Sequence, residues 1–213
     1  VLVFNLDFYL ENPLKVFAIR DGGLSIQGGL IFGILFAAFY TRKRNINFWK
    51  VADCFAPGMI LGQAIGRIGC DVFGVPMKGN YPWGVMINGQ LLHPAQIYEA
   101  ILDFILFIYL WKKRDNTRYD GQIFIHYIIG FSMIRGIVEF FRVNPIVFGN
   151  FTVAHATSLI IIIVALFISK RIKEKNSILV ANSTNEAVTI SLVEYLIIFA
   201  MMIIGTWLYY FIH

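Results

Sequence analysis

Of 213 residues, 58% are hydrophobic and only 15% charged, and the mean hydropathy is +0.68. Such a balance excludes an ordinary soluble domain and indicates a polytopic membrane protein. The formal net charge of +5 describes topology and contact with anionic lipid head groups, not nucleic-acid binding, because the basic residues are confined to particular loops.

The first twenty residues, "VLVFNLDFYLENPLKVFAIR", are too short and too charged to span a bilayer alone. They lack the basic region and apolar core of a cleavable signal. The chain opens with Val inside an apolar run, so further sequence, up to a whole helix, is expected before it. Six runs long enough to cross a bilayer as helix follow at 22–40, 51–70, 95–111, 121–141, 152–169 and 191–212. The predicted fold is therefore all-α: one integral membrane domain over 1–213, a bundle of six transmembrane helices.

Three connections, 41–50, 112–120 and 170–175, hold twelve of the eighteen Lys and Arg and fall on one side if every run spans. They are expected to be cytoplasmic. The opposite, external side receives 1–21, 71–94 and 142–151, with four basic residues together. Cys54 and Cys70 belong to one apolar segment without metal-ligand spacing and read as free thiols. The polar segment 176–190 is expected to be a flexible loop without a role.

Ionisable groups inside spans are few enough to weigh one by one, since each needs a partner or a function. The stretch "DGGLSIQGG" (21–29) opens the first run with four glycines, Ser25 and Gln27, which permits irregular backbone and close approach of a ligand or simply tight helix packing. In "GQAIGRIGC" (62–70), Arg67 lies near the external end of its run with Gly62, Gly66 and Gly69 around it. The glycines let a lipid head group or another helix reach the backbone; alternatively they form a packing groove while Arg67 snorkels outward.

In "LHPAQIYEAILD" (92–103), Pro94 suits a first helical turn and His93 stands just outside the run. Gln96, Glu99 and Asp103 then form a polar stripe at i, i+3 and i+7, which must face the interior or a wet cavity. Pairing with Arg67 or Arg135 would satisfy it, and a carboxylate so paired can also orient an arginine that binds substrate. In "RGIVEFFR" (135–142), Arg135, Glu139 and Arg142 share one helical face that is net positive. Glu139 either neutralises its neighbours or, with Arg67 at the same depth, belongs to a three-arginine site suited to a phosphate.

In this order the four stretches resemble the prolipoprotein diacylglyceryl transferase family over residues 20–169. The residues that carry the likeness are "DGGLSIQGG" for a GG-rich segment, "GRIGC" for the GRxGN signature, "HPAQIYE" for HPxQxYE and "IRGIVEFFR" for RxxxEFxR. The resemblance implies transfer of diacylglycerol from phosphatidylglycerol to the lipobox cysteine of a prolipoprotein in the bacterial cytoplasmic membrane, with the active site at the external leaflet. It implies Arg67 as the signature arginine that binds the head group, Arg135 as the second essential arginine and Glu139 as its companion. Gln27, Gly28, Gly29, Gly66, Gly69, Gln96, Tyr98, Glu99 and Arg142 complete the expected binding set. Phosphatidylglycerol, the lipobox segment and membrane lipids are the expected partners, with no nucleic acid, cofactor or metal.

The implied reaction is attack of the cysteine thiolate on the glycerol carbon, with glycerol phosphate leaving. His93 is an expected catalytic base or an anchor for the helix it precedes. Three positions depart from the family pattern: Gln27 replaces a histidine or tyrosine, Cys70 an asparagine and Val75 a glutamate. The family's N-terminal helix is expected to be absent from these residues, and the run 191–212 is expected to lie beyond the family's usual end. These departures motivate an alternative, a non-catalytic phosphatidylglycerol-binding relative. A transporter fits least, because the charges gather near one face rather than the midplane.

Overall fold

The computed structural model describes residues 26–79, 81–143, 146–148, 151–176 and 192–212, those at 26–31, 146–148, 151 and 175–176 as backbone alone. It divides into two compact units, 1–48 and 49–213. The first contains helix α1 (Ile26–Lys43). Gln27, Gly28 and Gly29 fall in its first turn as backbone, and their side chains lie outside the described residues, as do 21–25 and the segment 177–191. α1 ends with Asn45 in the left-handed region at φ 54°, a common way of stopping a helix.

The second unit holds α2 (Phe48–Ile68), the strands β1 (Val85–Ile87) and β2 (Gln90–Leu92), α3 (Ala95–Lys113) and α4 (Gln122–Glu139). Then come β3 (Ile146–Phe148), β4 (Phe151–Thr152), α5 (Val153–Asn176) and α6 (Leu192–Ile212). Every predicted apolar run is a helix, with ends displaced by a few residues. The largest displacement is at α5, which continues to Asn176 instead of stopping at 169, because its Lys, Arg and Glu residues are good helix formers.

Among the described residues, length and composition mark two helices as able to cross a membrane, Val153–Glu174 and Leu192–Ile212, with only 11% and 17% of their apolar stretches buried in the protein. Outward-facing Ile160, Ile163, Phe167, Leu196, Ile203 and Trp207 are all more than half exposed, an apolar surface matched to lipid rather than water. α2, α3 and α4 instead interrupt their apolar sequences with Asp53, Arg67, Glu99, Asp103 and Arg135.

Between apolar helices in lipid, contact is driven by packing and not by exclusion of water. The core accordingly interdigitates large and small residues: Ala56, Ile60 and Ala64 of α2 meet Phe104, Phe107 and Leu110 of α3 and Ile123, Tyr127 and Val138 of α4. A second cluster, Tyr119, Ile125, Ala165 and Ile172, joins α4 to α5. α6 seals the other side through Ile198 and the fully buried Tyr209, which packs with Val85 and Ile97.

The region 71–94, read from sequence as a loop, contains an antiparallel hairpin with Val85 opposite Leu92 and Ile87 opposite Gln90. Its turn is Asn88-Gly89 with φ values of 49° and 78°, the dipeptide that best accommodates two left-handed residues. Gly74 threads between two other segments: its N–H donates to the His93 carbonyl at 2.8 Å, and Val75 N–H donates to the Phe141 carbonyl at 2.9 Å. A Cβ at Gly74 would overlap the Phe141 carbonyl oxygen. This backbone staple ties the ends of α2, α3 and α4 together at one end of the unit.

At the start of α4 the unpaired helix N–H groups are capped from another helix. Asp53 of α2 accepts from Gly121 N–H at 2.6 Å and from Phe124 N–H at 2.8 Å. Gly121 has φ 94° and its added Cβ would lie 2.9 Å from Trp49 Cε3. Asp53→Ala is expected to lower stability by about 1–2 kcal/mol through loss of the cap. Gly121→Ala should cost about 1–2 kcal/mol from its left-handed backbone, before any clash with Trp49. Thermal unfolding in detergent checks both, and unchanged midpoints would remove this cap from the account of α2–α4 docking.

Candidate functional site

Glu99, one turn into α3, has no exposed surface, and three arginines from separate segments converge on it. Arg67 Nη2 at the end of α2 lies 2.8 Å from Oε1. Arg135 Nη1 of α4 and Arg142 Nη1, just beyond α4, lie 3.8 and 3.7 Å from Oε2. Arg135 Nη2 also faces Glu139 Oε2, four residues on, at 3.6 Å. The ion-paired set is thus three guanidiniums and two carboxylates.

The arginines retain 26%, 27% and 15% side-chain exposure, while both carboxylates are buried. The negative charges therefore sit behind the positive ones, and the donors left unused by the carboxylates belong to groups that keep an open side. Burial, followed by repulsion from Arg135, lowers the pKa of the Arg142 guanidinium. An added anion would relieve both the excess of positive charge and that repulsion. A planar fork of donors is the geometry that binds phosphate in a bidentate manner.

The polar stripe of α3 faces inward as expected: Gln96, Glu99 and Asp103 are all buried. Only Glu99 meets the arginines. Gln96 and Asp103 have no hydrogen bond among the described residues, so pairing of the whole stripe with Arg67 or Arg135 does not occur. Below it, Gln63 donates to Tyr127 at 3.0 Å.

The His93 ring is held at Nδ1 by the Tyr98 hydroxyl at 3.2 Å and packs against Phe141 with centroids 5.3 Å apart. Tyr98 meets the same Phe141 edge-on. The His93 backbone carbonyl also accepts from Ala95 N–H, and Pro94 at the N-cap position leaves α3 without a side-chain cap. Gly66 and Gly69 flank Arg67, and apart from adjoining residues and local helix backbone no described atom lies within 4 Å of a Cβ built on either. The space above Gly62 is open as well, so no helix of the second unit fills the packing groove that Gly62 and Gly66 would form.

Two residues escaped the sequence analysis. Thr152 at the end of β4 donates its hydroxyl to Glu139 Oε1 at 2.7 Å, and His155 lies against Thr152 at 3.1–3.2 Å. The available signal was "TVAH" before the apolar run of α5, a variant of the S/T-x-x-E/Q helix-start pattern.

Removing the hub carboxylate leaves three cations without their shared counter-ion, and breaking a buried pair costs about 3–5 kcal/mol. Glu99→Gln is expected to destabilise the protein by that order, read as a lower thermal midpoint in detergent. A midpoint equal to that of the parent would show that the arginines are held by other contacts.

A model of the family described as prolipoprotein diacylglyceryl transferase matches residues 1–171, which takes the similarity beyond the stretch 20–169 read from the motifs. The chain is 41% identical over 177 residues to a phosphatidylglycerol–prolipoprotein diacylglyceryl transferase of Clostridioides difficile (strain 630), covering 82% of this chain and 71% of that protein. The protein of that name from Finegoldia magna is 35% identical over 181 residues, with 82% and 71% covered. The one from Halalkalibacterium halodurans is 35% identical over 183 residues, with 78% and 63% covered. With the four motifs in order and three of them gathered around one buried carboxylate, the chain belongs to the prolipoprotein diacylglyceryl transferase family.

Proposed function

We propose that this protein transfers the diacylglyceryl group of phosphatidylglycerol to the thiol of a prolipoprotein lipobox cysteine, forming a thioether and releasing glycerol phosphate. The observation that carries the reading is the convergence of Arg67, Arg135 and Arg142, each partly exposed, on the buried Glu99. Such a set favours one phosphate, and the curated relatives carry this activity in their names.

In this reading the six helices all span the cytoplasmic membrane. The basic loops 41–50, 112–120 and 170–175 face the cytoplasm, which puts Arg67 and Arg142 at the external head-group level. The open side of Gly66 and Gly69 lets the lipid phosphate approach Arg67. α6, outside the family match, is an added membrane helix.

The reaction breaks the bond between the glycerol carbon of the diacylglyceryl group and its phosphate oxygen, and forms a carbon–sulfur bond in its place. The electron pair leaves with the phosphate, so negative charge develops on glycerol phosphate as it departs. Arg67 and Arg135 stabilise that charge, and their fixed positions on Glu99 and Glu139 spare reorganisation during the step. The thiol, with an ordinary pKa of about 8.5, must lose its proton first. His93 is the titratable group of the matching segments suited to accept it, with Nδ1 occupied by Tyr98 and Nε2 left for the proton.

Arg67→Ala is expected to lower transfer by about 10²–10³-fold, the effect of deleting one preorganised charge-stabilising donor. The check is mass spectrometry of a lipobox peptide incubated with the protein and phosphatidylglycerol. A diacylglyceryl mass gain that persists undiminished in the variant would overturn the assignment. Lipid retained by the parent protein without any mass gain would instead indicate a binder that has lost its acceptor chemistry.

A further inference from the structure

Glu139 is held from a third side by residues that none of the four motifs contains. Its Oε2 faces Arg135 at 3.6 Å, and its Oε1 accepts from the Thr152 hydroxyl at 2.7 Å. Thr152 and Glu139 are 7% and 2% exposed, so this bond is shielded from water and stronger than its surface equivalent.

Thr152 is itself fixed. It precedes the first residue of α5, and its backbone N–H donates to His155 Nδ1 at 3.2 Å. That is the reciprocal half of a capping box, with the imidazole three residues on in place of the usual Glu or Gln. A hydroxyl has one proton, and here it goes to Glu139. His155 Nδ1 accepts the Thr152 N–H, which puts the ring proton on Nε2, and its 3.1 Å approach to Oγ1 is a contact that shares no proton. The ring is backed by Phe140, centroid to centroid 4.5 Å, the residue that directly follows Glu139.

We propose that Thr152, locked by His155, is a positioning residue for phosphate binding: it holds the Glu139 carboxylate so that Arg135 stays aimed at the phosphate. The argument rests on the phosphate-site reading above. With its Oε1 engaged, Glu139 presents one oxygen to Arg135. Without the hydroxyl both oxygens compete for the guanidinium, closing the pair and withdrawing donors from the lipid. Thr152 acts through Glu139 and touches no reacting atom.

The test compares the full chain with Thr152→Val, Thr152→Ser, Glu139→Gln, the Thr152→Val/Glu139→Gln double variant and Arg67→Ala. Affinity for phosphatidylglycerol is measured in phosphatidylcholine nanodiscs with increasing phosphatidylglycerol content, and KM and kcat with a lipobox peptide. Thr152→Val is expected to weaken binding and raise KM about fivefold with kcat changed less than twofold, and Thr152→Ser to restore parental values. In the Glu139→Gln background Thr152→Val should add nothing, since coupled neighbours are not additive.

Unchanged affinity in Thr152→Val, equal losses in Val and Ser variants, or full additivity with Glu139→Gln would each overturn the proposal. Should Thr152→Val fail to fold, Thr152→Cys keeps the shape with a weaker donor and makes the same comparison. Arg67→Ala separates the two readings. Binding that survives it refutes the phosphate site, whereas binding lost there but intact in Thr152→Val refutes only the role of Thr152.

Discussion

A single buried carboxylate organises this end of the molecule. Three guanidiniums brought to one place repel each other, and their partial burial among the helices leaves little water to screen them. Glu99 makes the cluster possible because it offers two oxygens at the meeting point of α2, α4 and the segment after α4. Both oxygens are used, Oε1 by Arg67 and Oε2 by Arg135 and Arg142, and among the described residues Glu139 is the second carboxylate ion-paired with the cluster. A site that balanced its charges fully would hold the helices together and bind nothing. In the proposed reading, that residual positive charge is what separates a receptor for phosphate from a structural ion-pair network.

That arrangement requires the helix ends to be held independently of the charges they carry. The staple at Gly74 and Val75 supplies this with main-chain bonds to His93 and Phe141, each next to a motif residue. Gly74 is needed because a side chain would meet the Phe141 carbonyl. The far end is tied by Asp53 capping α4 from α2. Between these ties the helices meet through alternating large and small apolar residues, and the ionic cluster sits on a frame that does not depend on it for shape.

Much of this was legible in the sequence, for reasons that differ by element. Helices were found because apolar length is a strong local signal, and Glu99 was found because a polar stripe at helical spacing must face inward. That Glu99 alone of the stripe meets the arginines was not legible, since Gln96, Glu99 and Asp103 differ there only by depth and rotation along α3. The hairpin at 85–92 was passed over although "NG" between apolar residues marks its turn; it was masked by the polar character of the surrounding loop. Thr152 and His155 were missed for a different reason. Thr152 meets Glu139, thirteen residues back in the chain, and His155 meets Thr152, with the paired strands β3 and β4 lying between α4 and α5.

The positions at which the chain departs from its family pattern can now be weighed by what the backbone does there. Val75 stands where a glutamate is usual, yet its contribution to the staple is an N–H to the Phe141 carbonyl and a carbonyl accepting from His93, which any residue other than proline can supply. Cys70 stands where an asparagine is usual, at the end of α2, where its N–H bonds the Arg67 carbonyl at 3.3 Å, again a main-chain contact. The side chains that cannot be replaced by backbone, Arg67, Glu99, Arg135, Glu139 and Arg142, are all present and joined. The departures at Val75 and Cys70 thus fall where the backbone contacts tolerate change, and the retained residues are those whose charge the proposed head-group site would require.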